Sequence, residues 1–306
     1  MRTERIETDQ ARAHMRDGNL PYLQSWFEFG ARTVPHRAVI KGGSKRLPPE
    51  MPRDSRRVWL RLWSVILVLV WWTVPMAVSA HLPFSATQRD AVRVPILVYH
   101  AVDDSGNTYS VTPQQLNEQC RWLVANGYTA ITLQQFWRAV RGNTALPSNP
   151  IVLTNDDGDT SVMRFAAILG RYGLVGNYFV NNVSLLTQNQ IRSLARSGTV
   201  EAHAVSHVAL SGLDYEDQVT EIAENRTYLE HITGHPVRFL AWPYGDTDES
   251  AIEAATASGI VAAFGLGGMA ATLDPIDLYT IPRIAILVED DLTTFAAKVS
   301  GEATGG

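Results

Sequence analysis

Two short segments of the chain carry residues that can bind a metal ion or move a proton. The first ends in Asp156 and Asp157, and the second contains His203 and His207. One carboxylate and two imidazoles form a ligand set for a divalent transition metal, with positions left for water or substrate. Asp-Asp-Gly alone is commonly a turn, and two histidines four residues apart are commonly packed or exposed. The prediction of a metal site therefore depends on the joint occurrence of the two segments.

The residues that precede the two carboxylates indicate how they are positioned. Segment 151–154 (IVLT) is apolar or β-branched, which predicts a buried strand with acids at its C-terminal tip. Enzymes with α/β folds place their chemistry at that end of the sheet. Adjacent strand residues point to opposite sides, so Asp156 and Asp157 can share one site only if the chain turns, which Gly158 allows. The two carboxylates are then expected to have different roles.

The elements around these segments alternate between strand and helix. This alternation predicts an α/β fold with a parallel sheet, closed as a barrel or open and doubly wound. The first strand, 94–100, ends in His100, and Thr112 with Pro113 predicts the start of a helix that Gly127 ends. The predicted strands are 94–100, 128–133, 151–154, 175–180, 199–202, 237–241, 260–264 and 279–287. The predicted helices are 113–126, 134–141, 161–172, 187–196, 214–233, 249–258 and 292–299.

The N-terminal part of the chain has a different character. Segment 62–80 carries no charge, and four arginines precede it. Counted from Met1, it is a single membrane-spanning anchor with a basic flank. Counted from Met51, it is a secretory signal peptide with Pro75 after the apolar region and Val78-Ser79-Ala80 as the cleavage site, which is the interpretation we favour. The four arginines are Arg53, Arg56, Arg57 and Arg61.

The same reasoning divides the chain into four parts. Residues 1–57 are expected to be an irregular extension, or to come from a start codon placed too far upstream. Residues 58–80 are the signal peptide or membrane anchor, 81–93 a linker, and 94–300 the catalytic domain. Either interpretation of 58–80 places residues 81–306 outside the cytoplasm, so an extracytoplasmic location is expected: periplasmic, secreted or membrane-anchored. Membrane contact is expected only through 62–80, if that segment is not cleaved.

Charge and cysteine content limit the partners. Lys and Arg outnumber Asp and Glu by 13 to 7 up to residue 80, but after it the acids outnumber them by 24 to 13. An acidic catalytic part argues against nucleic acid as a partner and is compatible with a neutral or cationic polymer. Cys120 is the only cysteine, so no intramolecular disulfide can form. It lies on the apolar stripe of a predicted helix, where burial is expected.

Several ordered motifs between residues 95 and 288 resemble the polysaccharide deacetylase family, the carbohydrate esterases with a NodB-type domain. The resemblance is closer to the subgroup that de-N-acetylates poly-N-acetylglucosamine in bacterial biofilms. It implies a distorted (β/α) barrel of about seven strands. The segments that carry the resemblance are VPILVYH, PQQLNEQCRWLVANGYTAITL, VLTNDDGD, EAHAVSH, FLAWPYGD and YTIPRIAIL.

The resemblance implies a role for each matching residue. Asp156 takes the place of the family's general base, and Asp157, His203 and His207 take the places of its metal ligands. His100 matches the general acid of the biofilm subgroup, and the backbone N–H of Tyr244 matches the donor to the oxyanion. Trp242, Pro243 and Tyr244 are candidates for substrate binding, with the aromatic rings as a platform for a sugar. Glu201 is a candidate partner of a metal histidine.

The resemblance also implies a cofactor and partners. The cofactor is a divalent metal ion, with zinc expected first and cobalt, nickel and iron also suited to these ligands. The partner is an acetylated polysaccharide, and separate export or synthase proteins are compatible with the family. Four positions depart from the family: Asn155 replaces an aromatic residue, Ala202 and Ala204 replace hydroxyl residues, and Ala241 replaces an arginine that orients the base. An O-deacetylase, an amidase on another substrate and a catalytically weak glycan-binding protein remain alternatives.

Overall fold

The computed structural model describes residues 92–274 and 276–301. The predicted N-terminal extension, the signal or anchor segment 58–80, and linker residues 81–91 lie outside the described residues. Within the described ranges, none of the helices has the length and apolarity that crossing a membrane requires.

The described residues form twelve strands and seven helices. The strands are β1 Arg93–Val94, β2 Ile96–Tyr99, β3 Ala101–Val102, β4 Ser110–Val111, β5 Thr129–Ala130, β6 Pro150–Asn155, β7 Gly176–Val180, β8 Gly198–Ala202, β9 Phe239–Ala241, β10 Ala262–Phe264, β11 Ala271–Thr272 and β12 Ile284–Ala285. The helices are α1 Pro113–Ala125, α2 Leu133–Val140, α3 Val162–Arg171, α4 Gln188–Ser197, α5 Tyr215–Thr233, α6 Glu249–Ala257 and α7 Leu292–Ser300. Two short 3₁₀ turns occur at Leu210–Gly212 and Pro243–Gly245.

The main sheet is parallel and follows the order β10-β9-β8-β7-β6-β2-β12, with β5 also paired to β6. Segment 278–286 bonds to both ends of this path. The Ile281 N–H donates to the Ala263 carbonyl of β10, and the Ile286 N–H donates to the Val98 carbonyl of β2. The sheet is therefore curled, and the expected α/β architecture with about seven parallel strands is confirmed.

Local sequence signals explain where three of the helices begin. Helices α1, α2 and α4 each start at a Thr-x-x-Gln capping box, in which the threonine side chain and the glutamine side chain accept from each other's backbone N–H. The predicted start of α1 at Thr112 and Pro113 is confirmed, and Gly127 follows its end with φ +72°. The capping threonines are Thr112, Thr132 and Thr187.

The core has two parts because both faces of the sheet are buried. One apolar cluster fills the space between sheet and helices, and the other, which includes Ile96, Val152 and Phe179, lies on the opposite face of the strands. Strands buried on both faces have nearly continuous apolar sequences, as β6 does. Cys120 is 1% exposed in the first cluster, so its predicted burial is confirmed. Burial raises the pKa of its thiol to about 12.

Two predicted strands lose most of their expected length. In 128–133 only Thr129–Ala130 is a strand, because the capping box at Thr132 starts helix α2 one residue later. In 279–287 only Ile284–Ala285 pairs as a strand, with a separate bridge at Ile281. Pro282 lies between them, and proline has no N–H to continue a ladder of hydrogen bonds.

Candidate metal and catalytic site

The predicted site residues come from loops at the carboxyl ends of neighbouring strands. Asp156 and Asp157 follow β6, His203 follows β8, and Tyr244 lies beyond β9. Among the described residues, all non-glycine residues with positive φ belong to these loops: Asp157 at 73°, Ala204 at 61°, His207 at 56° and Tyr244 at 60°. A left-handed conformation of this kind costs about 1–3 kcal/mol at each residue. Its restriction to these loops indicates that the side chains are held for binding or chemistry.

Asp157, His203 and His207 converge on one point. Asp157 Oδ1 lies 3.1 Å from His203 Nε2 and 3.0 Å from His207 Nε2. The three candidate ligand atoms all lie within 4.8 Å of one another. Burial raises the pKa of Asp157, but the contacts of its carboxylate with His203 and His207 outweigh burial and hold the pKa well below its usual range. The cluster is therefore an ionised carboxylate facing two imidazole nitrogens.

The hydrogen bonds of His203 show that this cluster suits a cation. Its Nδ1 lies 2.8 Å from the Ala241 carbonyl oxygen, which can only accept, so Nδ1 carries a hydrogen. In the neutral ring, Nε2 then presents its lone pair to the Asp157 carboxylate. Two electron pairs at that distance repel unless a proton or a metal ion lies between them. A tetrahedral zinc site separates its ligand atoms by about 3.4 Å, so the three residues fit such an ion.

Two side chains of helix α5 hold the histidine loop. Glu221 accepts hydrogen bonds from the backbone N–H groups of Val205 and Ser206, both at 2.8 Å. Asn225 accepts from the His203 N–H at 2.8 Å and donates to the Val180 carbonyl at 2.9 Å. The loop lacks the flanking hydroxyl residues of the family, and these α5 contacts hold its backbone.

Asp156 is separate from the ligand cluster and is paired with Arg283. Both guanidinium Nη atoms donate to its carboxylate at 2.8 Å, one to each oxygen, and both residues are almost fully buried. Burial raises the pKa of Asp156, but the charge of Arg283 and its hydrogen bonds outweigh it, and the pKa lies below the usual value. Asp156 is therefore held in its ionised form.

Arg283 was not among the residues that the sequence predicted for the site. The departure at Ala241 suggested that no arginine orients the base, whereas the structure supplies one from the segment before β12. Arg283 also donates to the Gly265 carbonyl at 3.1 Å and lies 5.4 Å from the centre of the Phe179 ring. The available signal was a lone charge inside the apolar segment IPRIAI.

His100 lies at the end of β2 and has an unpartnered ring nitrogen. Its Nδ1 is buried without a hydrogen-bond partner in the described part of the chain, and its ring centre lies 5.3 Å from that of Tyr109. Burial lowers the pKa of His100, opposed by the charges of Asp156 and Asp157. Asn155, at the family's aromatic position, donates from its side chain to the His100 carbonyl and so fixes the backbone there.

The segment 242–244 divides into a buried and an exposed part. Trp242 is 1% exposed, and its indole N–H donates to the Tyr279 carbonyl at 2.7 Å. Pro243 is buried as well. The expected sugar platform therefore cannot include these two residues in this arrangement, because neither presents a face to solvent. Tyr244 is 67% exposed, and its ring centre lies 4.8 Å from that of His207.

Glu201 does not contact a metal histidine. Its carboxylate accepts from the backbone N–H groups of Arg238 and Phe239, at 2.9 and 3.0 Å. Burial raises the pKa of Glu201 to about 8. The hydrogen-bond partner of His203 Nδ1 is instead the Ala241 carbonyl.

Comparison with known proteins agrees with this geometry. The profile of the family described as polysaccharide deacetylase matches residues 143–263. YxkH of Bacillus subtilis, named as a polysaccharide deacetylase, is 27% identical over 180 residues, which cover 56% of this chain and 64% of YxkH. The poly-β-1,6-N-acetyl-D-glucosamine N-deacetylase of Staphylococcus epidermidis is 28% identical over 199 residues, which cover 58% of this chain and 68% of that protein. The chain thus spans less than two thirds of YxkH.

A solved structure supports the fold. The Streptococcus pyogenes deacetylase PplD, determined in complex with acetate, superposes with a TM-score of 0.64 at 21% identity. The match covers 68% of this chain and 98% of PplD. Residues 143–263 match the polysaccharide deacetylase family, and the family resemblance that the motifs predict is confirmed.

Proposed function

We propose that this protein is a metal-dependent hydrolase that removes N-acetyl groups from a polysaccharide containing N-acetylglucosamine. The observation that carries the proposal is the placement of an ionised carboxylate, Asp156, beside a separate cluster of Asp157, His203 and His207. One group is then available to move protons while the others hold a cation. The name of the Staphylococcus epidermidis relative supports N-acetylglucosamine polymers as the substrate class.

Asp156 is proposed as the general base. Amide hydrolysis requires a proton to be removed from the attacking water. Each Asp156 oxygen accepts one hydrogen bond from Arg283 and keeps a second acceptor position, so the carboxylate can still bind a water. Arg283 keeps Asp156 ionised and fixes its orientation. A proton transfer of this kind accelerates the reaction about 10²–10⁴-fold.

Asp157, His203 and His207 are proposed to hold the metal ion, with zinc expected first and cobalt, nickel and iron as alternatives. A divalent ion held there would supply a Lewis acid that lowers the pKa of a water and polarises the acetyl oxygen. The hydrogen bond from His203 Nδ1 to the Ala241 carbonyl fixes the ring orientation and leaves Nε2 as the ligand atom.

His100 and Tyr244 complete the proposed mechanism. The leaving amine must gain a proton as the amide bond breaks, and the His100 ring has a nitrogen without a partner in the described residues. The Tyr244 backbone N–H is proposed to donate to the developing oxyanion, at a turn held by its left-handed conformation. The exposed Tyr244 ring is proposed to stack on a sugar. An extracytoplasmic location, which the N-terminal segment suggests, suits a polymeric substrate.

The proposal is tested by acetate release from β-1,6-linked N-acetylglucosamine oligomers by the full chain. Release that stops with a chelator and returns with added zinc is the expected result. Asp156→Asn should lower the rate by at least about 100-fold while metal binding is retained. Asp217→Asn, at an exposed acidic position of α5, is the matched control.

Each contrary result selects an alternative. Release from O-acetylated but not N-acetylated sugars would identify an O-deacetylase. Oligomer binding without release, unchanged in Asp156→Asn, would identify a glycan-binding protein. A rate unaffected by chelator would overturn the role of the metal.

A further inference from the structure

A cleft of about 240 Å³ is lined by Asp157 and His207 of the candidate metal site. Asn181, Val183 and Leu185, from the loop after β7, form a further part of its wall. The two loops that form the cleft are in close contact. Gly158 has φ +68°, and a Cβ built there would lie 2.9 Å from Ser184 Cβ. A side chain at position 158 would therefore push the loops apart.

Asn181 is the unusual residue of this cleft. It is 4% exposed, and its side-chain oxygen has no hydrogen-bond partner among the described residues. The adjacent Asn182 is fixed, because its N–H donates to the Val205 carbonyl at 3.1 Å and its side chain accepts from Asn225 at 2.7 Å. A buried acceptor without a donor is costly, so the position suits a ligand that brings an O–H or N–H group.

The rest of the wall defines the class of ligand. Val183 is 59% exposed and Leu185 is 77% exposed, so apolar side chains are presented to an occupant next to a polar acceptor. A pyranose ring has this character, since its C–H faces are apolar and its edge carries hydroxyl or acetamido N–H donors. A charged phosphate or a flat aromatic ligand would leave the acceptor or the apolar wall without a complementary group.

We propose that this cleft binds the sugar unit next to the one whose acetamide is hydrolysed, and that Asn181 accepts a hydrogen bond from that unit. The proposal rests on the proposed function for the identity of the polymer. Asn181 is then a residue that determines preference for a chain over a single sugar. A monosaccharide whose acetamide occupies the proposed metal site does not supply this neighbouring unit, so the loss of Asn181 should affect it less than a chain.

The test compares substrate lengths in variants of the full, metal-loaded chain. Asn181→Leu has nearly the same size and no acceptor, Asn181→Asp keeps acceptor oxygens, and Val124→Ser changes an exposed apolar residue on helix α1. For acetate release from tetramers, kcat/KM should fall about 10-fold to 100-fold in Asn181→Leu and less in Asn181→Asp. Val124→Ser should match the wild type with every substrate. With the monosaccharide, the loss of kcat/KM in Asn181→Leu should be several-fold smaller than with the tetramer.

Binding provides a second measurement that does not require turnover. Titration of the tetramer into the wild type and Asn181→Leu, by calorimetry, should show the same 10-fold to 100-fold weakening. If the wild type binds tetramer without releasing acetate, and Asn181→Leu weakens binding, the proposed function fails while the cleft assignment stands. Equal losses with monosaccharide and tetramer, no loss in Asn181→Leu, or no tetramer binding by the wild type would each overturn the assignment.

Discussion

Asn177 and Asn181 lie four residues apart, on β7 and on its direct continuation, yet their side chains are in opposite situations. Asn177 makes four hydrogen bonds: its Oδ1 accepts from the Leu133 N–H and the Thr199 hydroxyl, and its Nδ2 donates to the Ile131 and Leu153 carbonyls. Asn181 is almost equally buried, and its oxygen has no partner in the described residues. The same residue type supports the fold at one position and is left for a ligand at the other.

The contrast extends to the regions around the two asparagines. Five buried side-chain polar atoms lack a partner in the part of the chain that the structure describes, and three of them belong to His100, Asn155 and Asn181 at the carboxyl end of the sheet. The left-handed non-glycine residues of the described ranges lie at the same end. Native proteins satisfy buried polar groups and avoid strain except where function requires otherwise. The sheet therefore serves stability, and its carboxyl end is where we expect function.

The Asp156–Arg283 pair should show the largest effect, because it belongs to both regions. Arg283→Met removes the cation and leaves a buried carboxylate unpaired, which should lower the free energy of unfolding by about 3–5 kcal/mol. Urea denaturation measures this change. Arg164→Met, at an exposed arginine on α3 that donates to the Val102 carbonyl, is the comparison. A loss below about 1 kcal/mol in Arg283→Met would show that the pair does not stabilise the fold.

Substitutions at the two asparagines should change the free energy of unfolding by different amounts. Asn177→Ala leaves the Leu133 N–H and two backbone carbonyls without their partner, so we expect a loss of about 3 kcal/mol in the free energy of unfolding. Asn181→Ala should change it by less than about 0.5 kcal/mol, because no hydrogen bond of its oxygen is lost. Denaturation curves for the two variants check this directly. Equal losses would remove the distinction between the regions.

Glu221 should affect metal binding more than stability. Glu221→Ala removes the acceptor of two backbone N–H groups in the loop between His203 and His207, so the loop should hold its ligands less well. We expect zinc affinity to fall about 10-fold, as measured by competition with a chelating dye. Glu224→Ala, at an exposed position of the same helix, is the control. Unchanged affinity in Glu221→Ala would show that the loop is positioned without α5.

We expect the smallest effect on the protein at Cys120, which belongs to the buried core and not to the candidate site. Burial raises the pKa of its thiol to about 12, so the folded protein holds the neutral form, which is a poor nucleophile. We expect almost no alkylation by iodoacetamide at pH 8 in the native state and rapid alkylation in urea. Since the folded pKa is raised, this group destabilises the protein only as the pH rises above about 9, where the unfolded thiol ionises. Rapid alkylation of the native protein would contradict the burial of Cys120 on helix α1.

Much of the fold could be predicted because its signals are local. Capping threonines, the glycine after α1 and the apolar runs of the strands act over a few residues, and the helices predicted from them begin and end within two residues of those in the structure. The paired carboxylates and the two histidines are each recognisable locally, and the structure brings Asp157, His203 and His207 together as predicted. The extent of 279–287 as a strand was wrong because hydrogen-bond pairing there depends on Pro282 and on two distant partners.

The sequence by itself determined the order of strands and helices, the placement of acids and histidines at strand ends, and the resemblance to polysaccharide deacetylases. Only the tertiary structure decided that Arg283, rather than a residue at position 241, pairs with Asp156, that Trp242 is buried, and that Asn181 lacks a partner. These facts depend on contacts between residues far apart in the chain. Local patterns cannot encode them, because burial and pairing are set by how the sheet curls and which loops it brings together.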